Sequence, residues 1–214
     1  MNLRTITLTL LCLPLFATGC ANFASFQSAD VVEKGETSTG GGITYSSYSF
    51  EFIDTVEDFT VPALYLWGRY GLTDRLQAHL NAWIPLGGSI GAKYQLIGSP
   101  EEEGFGLSTG FDIGYLQVTA SGSDDNSSAD DADLFTKIDL YFPLYLGYDL
   151  SESTSLYLVP KYIGSINSGA NSEFASTFTT ALGIKLGFLY LEGSYGRDFS
   201  VKAPVSHVGV GFNL

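Results

Sequence analysis

Alternation with a period of two runs through most of this chain, and no other feature restricts its fold so tightly. From Phe105 to Tyr115 the odd positions are Phe105, Leu107, Thr109, Phe111, Ile113 and Tyr115, and the even ones are Gly106, Ser108, Gly110, Asp112 and Gly114. From Leu134 to Tyr148 the even positions Leu134, Thr136, Ile138, Leu140, Phe142, Leu144, Leu146 and Tyr148 oppose Phe135, Lys137, Asp139, Tyr141, Pro143, Tyr145 and Gly147. Neighbouring side chains of a strand point to opposite sides, so each run has one apolar face and one small or polar face. Such runs outlast the average soluble strand of about five or six residues. After residue 22 no apolar stretch reaches the roughly eighteen residues that a membrane-crossing helix needs, and strands are left to do any crossing.

Shorter runs repeat the split. Leu64 and Leu66 stand against Tyr65, Trp67 and Arg69, and Leu76, Ala78, Leu80 and Ile84 against Gln77, His79, Asn81 and Trp83. Ile90, Ala92, Tyr94 and Leu96 oppose Gly91, Lys93 and Gln95, while Leu156 and Leu158 oppose Tyr157 and Lys161, with Val159 and Ile163 blurring that strand. Phe178, Leu182, Ile184 and Leu186 oppose Thr177, Thr179, Ala181 and Lys185; Leu189 and Leu191 oppose Tyr190 and Glu192; Val208, Val210, Phe212 and Leu214 oppose His207, Gly209, Gly211 and Asn213. An initial strand over Ile43 to Phe52 brings the total to about ten, with eight or twelve as alternatives. Connections at Gly71 to Asp74, Pro100 to Glu103, Asp149 to Thr154 and near Gly187 are short, and those at Ala120 to Asp131, Asn167 to Glu173 and Arg197 to Pro204 are longer, the asymmetry of a barrel with both termini in the periplasm. Ile53 to Glu57 and Pro85 to Gly88 are short on the other side and predict two low outer hairpins. Pro143 and Pro160 fall at similar height and predict a shared bulge or kink.

Which way the apolar face points decides between two fold classes. A soluble sandwich or lipocalin-like barrel would turn it inward. The opposite face is built of Gly, Ser and Tyr with scattered charges, a poor coat against water, and only 15% of the 214 residues are charged. The fold expected is therefore all-β: a closed antiparallel up-and-down transmembrane β-barrel of about ten strands, in one domain spanning 43–214. A net charge of -13 with only 10 Lys and Arg excludes nucleic acid as a partner.

The amino terminus reads as an address. Arg4, the apolar run Ile6 to Phe16 and the small residues that follow form a secretory signal over 1–19, too short for an anchor. Ala17-Thr18-Gly19-Cys20 resembles a bacterial lipobox, which implies cleavage before Cys20 and lipidation of that residue; ordinary cleavage nearby is the alternative. Cys12 and Cys20 are the two cysteines, so no disulfide joins parts of the barrel. Residues 20–42 mix Ser, Gly, Thr and charges without a period and read as a periplasmic tether.

The Gly-Leu-Thr-Asp-Arg turn at Gly71 to Arg75 and the ending His-Val-Gly-Val-Gly-Phe-Asn-Leu at His207 to Leu214 resemble those of the small bacterial outer-membrane β-barrel proteins, of about 8 to 12 strands, without selecting one family. The resemblance implies a Gram-negative outer membrane, contact with its lipids and lipopolysaccharide, and insertion by the barrel-insertion machinery, which reads an alternating last strand. Outward aromatics near the periplasmic rim (Tyr70, Phe105, Tyr148, Phe212) and the outer rim (Tyr115, Tyr162, Phe174, Tyr195) would form two girdles, with Leu and Ile between them.

Arg69, Lys93, Asp112, Lys137, Asp139, Lys161, Lys185 and Glu192 are then directed into the lumen. About ten strands enclose a space that side chains largely fill, which predicts a plugged, ion-paired interior and a structural or interaction role. A narrow pore or small-ligand conduit lined by these charges with Trp67, Trp83, Tyr141 and Tyr145 is the alternative. A lipid-modifying enzyme is the third reading, but His79 is expected deep in the wall, and Ser206 beside His207 faces the opposite side, so no catalytic group is assigned. The acidic run Ser123 to Asp133 lacks the glycine and terminal glutamate of a calcium-binding loop and reads as a solvated surface loop. Neither a metal nor a cofactor is expected.

Overall fold

The computed structural model describes residues 23–52, 55–84, 87–99, 103–120, 133–168, 174–200 and 202–214. The strands follow one another as β1 (Thr37–Phe52), β2 (Thr55–Thr73), β3 (Leu76–Ile84), β4 (Gly87–Ile97), β5 (Gly104–Ala120), β6 (Asp133–Ser151), β7 (Thr154–Ser168), β8 (Phe174–Leu186), β9 (Leu189–Asp198) and β10 (Pro204–Asn213). Each pairs antiparallel with its neighbours in sequence, and β1 closes onto β10 from Gly40↔Asn213 to Tyr48↔Val205. The result is a closed barrel of ten strands, neither eight nor twelve.

Burial is inverted relative to a soluble protein. Ile43, Leu66, Leu80, Ile90, Ile113, Leu144, Leu182 and Val210 are exposed on the outer face, while Arg69, Lys93, Asp139, Lys161 and Glu192 are buried within. Apolar surface left in water costs about 25 cal/mol per Å², a penalty that acyl chains remove. Closure satisfies the backbone groups that hydrocarbon cannot. The wall is that of an outer-membrane β-barrel.

The prolines insert no bulge. Pro143↔Lys161 and Leu146↔Leu158 keep one register on either side of the interrupted pairs, and β7 runs against β8 through Pro160↔Thr180 without a shift. A bulge needs an extra residue on one strand; here the missing N–H groups thin the ladder while the facing residues stay in step. The register shifts that do occur, at Gly71/Thr73, Gln95/Ile97 and Asp149/Ser151, lie beside turns on the rim that carries both ends of the barrel.

Of the two outer hairpins expected to be low, β1–β2 is tall. Its ladder extends to Phe52↔Thr55, whereas β2 pairs with β3 only as far as Leu64↔Ile84. Strand length sets a hairpin's height, and the broken alternation around 53–63 conceals the length of β2 from the sequence. The expected all-aliphatic middle of the wall is also interrupted: Phe142 neighbours Tyr162, which neighbours Phe178, and Phe111 packs on Phe142 with centroids 5.2 Å apart. Tyr162, expected in the outer girdle, lies in this aromatic row across β6, β7 and β8.

The largest difference concerns the expected periplasmic tether. Thr37 to Gly42 is already β1, and residues 23–31, apart from the half-buried Asp30, are buried inside the barrel. Ser, Ala and Gln lack periodicity because their partners surround them on all sides, so nothing in the segment's own pattern distinguishes lumen from solvent. Cys20 and the signal region lie outside the described residues.

Candidate functional site in the lumen

At three places an inward glycine lets side chains of the flanking strands meet on the inner surface of the wall. His79 on β3 and Asp112 on β5 both neighbour Gly91 on the strand between them, and with no side chain there His79 Nε2 reaches Asp112 Oδ1 at 2.5 Å. Gly183 plays this part between Tyr157 and Glu192, where the phenol donates to Glu192 Oε2 at 3.0 Å. Across Gly40, Trp67 Nε1 donates to Asn213 Oδ1 at 3.3 Å. A Cβ at Gly91 or Gly183 would fall 1.7 Å from Asp112 Oδ1 or 2.1 Å from Tyr157 Cζ. Glycine in the intervening strand is thus what lets next-nearest strands bond across the inside.

Within this frame the amino-terminal segment is held mainly by its backbone. Glu192 accepts the N–H groups of Ser25 (2.7 Å) and Phe26 (2.8 Å) on its two oxygens. Phe26 has a φ of 43°, and the left-handed turn directs successive N–H groups into one anion-binding concavity. Arg69 donates to the Phe26 carbonyl at 2.5 Å, Lys161 to those of Phe23 (3.4 Å) and Ala24 (3.1 Å), and Lys93 to those of Ser28 and Asp30. Ser108 donates to the Ala29 carbonyl, while Gln95 and Gln77 accept from the N–H groups of Val31 (3.3 Å) and Val32 (2.9 Å). Hydrogen bonds to charged groups contribute about 1.5–3 kcal/mol each, so the grip is substantial.

Two side chains of the segment fit shaped recesses. The Phe26 ring, 0% exposed, stacks on Trp67 at 5.6 Å and meets Tyr65, Tyr190 and His207. Gly209 and Gly211 leave room for it; a Cβ at either would come within 2.6 or 3.1 Å of the ring. Three residues on, Ala29 lies against Gly106 and Gly147, at 2.9 Å from the Cβ position of each. At the terminal rim Gly35 donates to the Gly71 carbonyl at 2.8 Å and Gly71 donates to Glu36 at 3.1 Å, which ties the segment to the end of β2 as it turns into β1.

Below the segment the mouth opens into a polar cavity of about 450 Å³. Asp30, Glu33, Glu36, Glu103, Asp149 and Glu152 line it with Arg69, Lys93 and Lys185. Burial, and then the Asp149 carboxylate beside it, push the Asp30 carboxyl up to about 6, against the pull of Lys93.

No protein-family model matches the chain, and no curated protein matches it in sequence. Among solved structures it is similar to the attachment invasion locus protein Ail of Yersinia pestis (13% identity over 85% of this chain and 99% of that one, TM-score 0.37). It is also similar to the N-terminal β-barrel domain of Pseudomonas aeruginosa OprF (14%, 84% and 100%, TM-score 0.37) and to an outer-membrane channel of Pseudomonas putida F1 (12%, 87% and 98%, TM-score 0.44). Likenesses this loose bear on neither role nor ligand.

The eight charges expected in the lumen lie on the inner face but form no single ion-paired network. Lys137 meets Asp139 at 3.1 Å and His79 meets Asp112, whereas Arg69, Lys93, Lys161 and Glu192 bond to the segment. Lys185 lines the mouth. Trp67, Trp83, Tyr141 and Tyr145 are buried inside, and so are Val159 and Ile163, which explains the blurred strand. All eight girdle aromatics are exposed on the outer face. His207 Nδ1 lies 3.9 Å from Glu192 Oε1, and its ring meets that of Phe26 edge-on. Sequence reasoning missed Phe26 and Ala29; the paired glycines opposite them, Gly209 with Gly211 and Gly106 with Gly147, were the available signal. The acidic run over 123–132 lies outside the described residues.

Proposed function

We propose that this protein is a structural or interaction barrel of the outer membrane whose lumen is sealed at rest by its own residues 23–32. The observation that carries the reading is the insertion of Ser25 and Phe26 onto Glu192 at the centre of the lumen, with Arg69 and Lys161 bonded to the carbonyls on either side. With Lys93 also bonded to the segment, four ionisable side chains are engaged by it, which leaves little to line a path for ions. Both histidines are buried away from solvent, His79 bonded to Asp112 and His207 packed edge-on against the Phe26 ring, which speaks against a catalytic role. Purified protein in a planar bilayer is expected to give no steady current at neutral pH; sustained conductance would overturn the sealed reading.

A narrow conduit is the second reading, favoured by the way the seal is attached. Hydrogen bonds and packing alone hold it, and it joins β1 through Gly35, whose φ of 82° suits a hinge. A signal peptide, a lipidated Cys20, and contacts with lipopolysaccharide and the insertion machinery complete the proposal. The mass of the mature amino terminus tests the first two.

A further inference from the structure

The wall holds the segment chiefly by groups that every peptide has. Glu192, Arg69, Lys161, Lys93 and Ser108 all bond to its N–H or carbonyl groups. Contacts to its polar side chains are few: Gln77 to Gln27 at 3.3 Å, Gln95 to Asp30 at 3.3 Å, and the Asp149 carboxylate beside that of Asp30. The Ser25 hydroxyl, although buried, has no hydrogen-bond partner among the described residues. Side-chain selection is confined to the aromatic recess at Phe26 and the small-residue notch at Ala29.

We propose that the lumen is a binding site for extended peptides, occupied in cis by residues 23–32 and open in trans to a second peptide that carries an aromatic residue three positions before an alanine or glycine. The inference rests on the sealed reading above. Main-chain recognition fixes the class of ligand: an unfolded or extended polypeptide segment, read at two positions and tolerated at the others. The segment runs from its deep amino end at Lys161 out to Lys34 at the terminal rim, so a peptide arriving from that side would enter amino end first.

The test uses the full chain in bilayers. Leu80→Val, on the outer face of the wall, is expected to stay as silent as the unaltered protein. Ser25→Pro and Phe26→Pro each remove an N–H that Glu192 accepts, and both are expected to open steady channels, with heat-modifiable mobility showing that the wall is folded. Synthetic peptides of residues 21–34 are then added to the open variants. The native peptide and one with Gln27 and Ser28 replaced should block the current equally. Peptides N-methylated at the Ser25 and Phe26 positions, or with alanine for Phe26, should block at least about tenfold more weakly, since each loses more than 1.4 kcal/mol of contact. Block by the native peptide alone would mean side-chain reading and would overturn the inference, as would open channels that no peptide blocks, or proline variants as silent as Leu80→Val. Should a proline variant fail to fold, a labelled native peptide bound to the Phe26→Ala chain, whose own segment is released, serves instead: displacement by the replaced peptide supports main-chain reading, and failure to bind or to displace overturns it. Current through the unaltered protein before any peptide is added would instead overturn the sealed reading.

Discussion

Gly183 shows how much a single absent side chain decides. The Tyr157 ring lies across it to reach Glu192, the residue that grips the inserted segment. In Gly183→Ala the new methyl meets ring atoms packed in the interior, not a flexible tip, and forcing an extra carbon into a packed interior costs typically about 1–3 kcal/mol. The expected outcome is a lower urea midpoint and a Glu192 that holds Ser25 and Phe26 less firmly, seen as faster proteolysis of residues 23–32. Gly193, which has no contact closer than 3.7 Å from its Cβ position, is the control, and Gly193→Ala is expected to change neither. Phe26 itself is the second decisive residue. Truncating a buried Phe costs about 3–5 kcal/mol, so Phe26→Ala is expected to release the segment while the wall's own unfolding stays unchanged.

The inserted segment is an element without secondary structure, and its docking is expected to depend on pH. A free aspartate titrates at 3.8, and the docked Asp30 at about 6. A raised value means that the docked state holds the proton more tightly, so this contribution to docking is complete below the free value and is lost as pH rises through about 6. Protease access to residues 23–32 is therefore expected to grow between pH 5 and pH 8, and Asp30→Asn should flatten the profile. An unchanged profile in the variant would show that another group sets the dependence. The segment's irregularity is itself a physical result. Strands are regular because they pair, whereas here side chains from opposite walls satisfy the backbone one group at a time.

At the scale of the molecule, the outward apolar band makes a quantitative demand. Leu182 is 63% exposed on β8, four residues above the rim at Leu186. An arginine near the middle of a bilayer costs about 2–4 kcal/mol in a barrel wall. Leu182→Arg is expected to destabilise the protein by that amount in lipid vesicles, measured by equilibrium urea unfolding. Arginine in place of the inward-facing Thr179, which is buried in the lumen and never meets lipid, should cost the same packing energy in vesicles as in short-chain detergent. Equal losses for Leu182→Arg in the two media would remove the lipid from the explanation.

The period-two pattern pointed to a closed wall of about ten strands, and with the Gly, Ser and Tyr content of the second face to which side meets lipid, because side-chain direction in a strand is a local property of the backbone; that the count is ten and not eight or twelve was decided by the pairing. Runs such as Leu134 to Tyr148 state it without reference to any partner. Where the lumen charges find their partners was not legible, since Glu192 and Ser25 are far apart in sequence and meet only when the barrel closes around the segment. The same holds for the height of β1–β2, fixed by pairing with a neighbour and not by its own alternation. Facing is decided residue by residue; filling is decided by the three-dimensional enclosure, and only the tertiary structure shows that the chain fills itself.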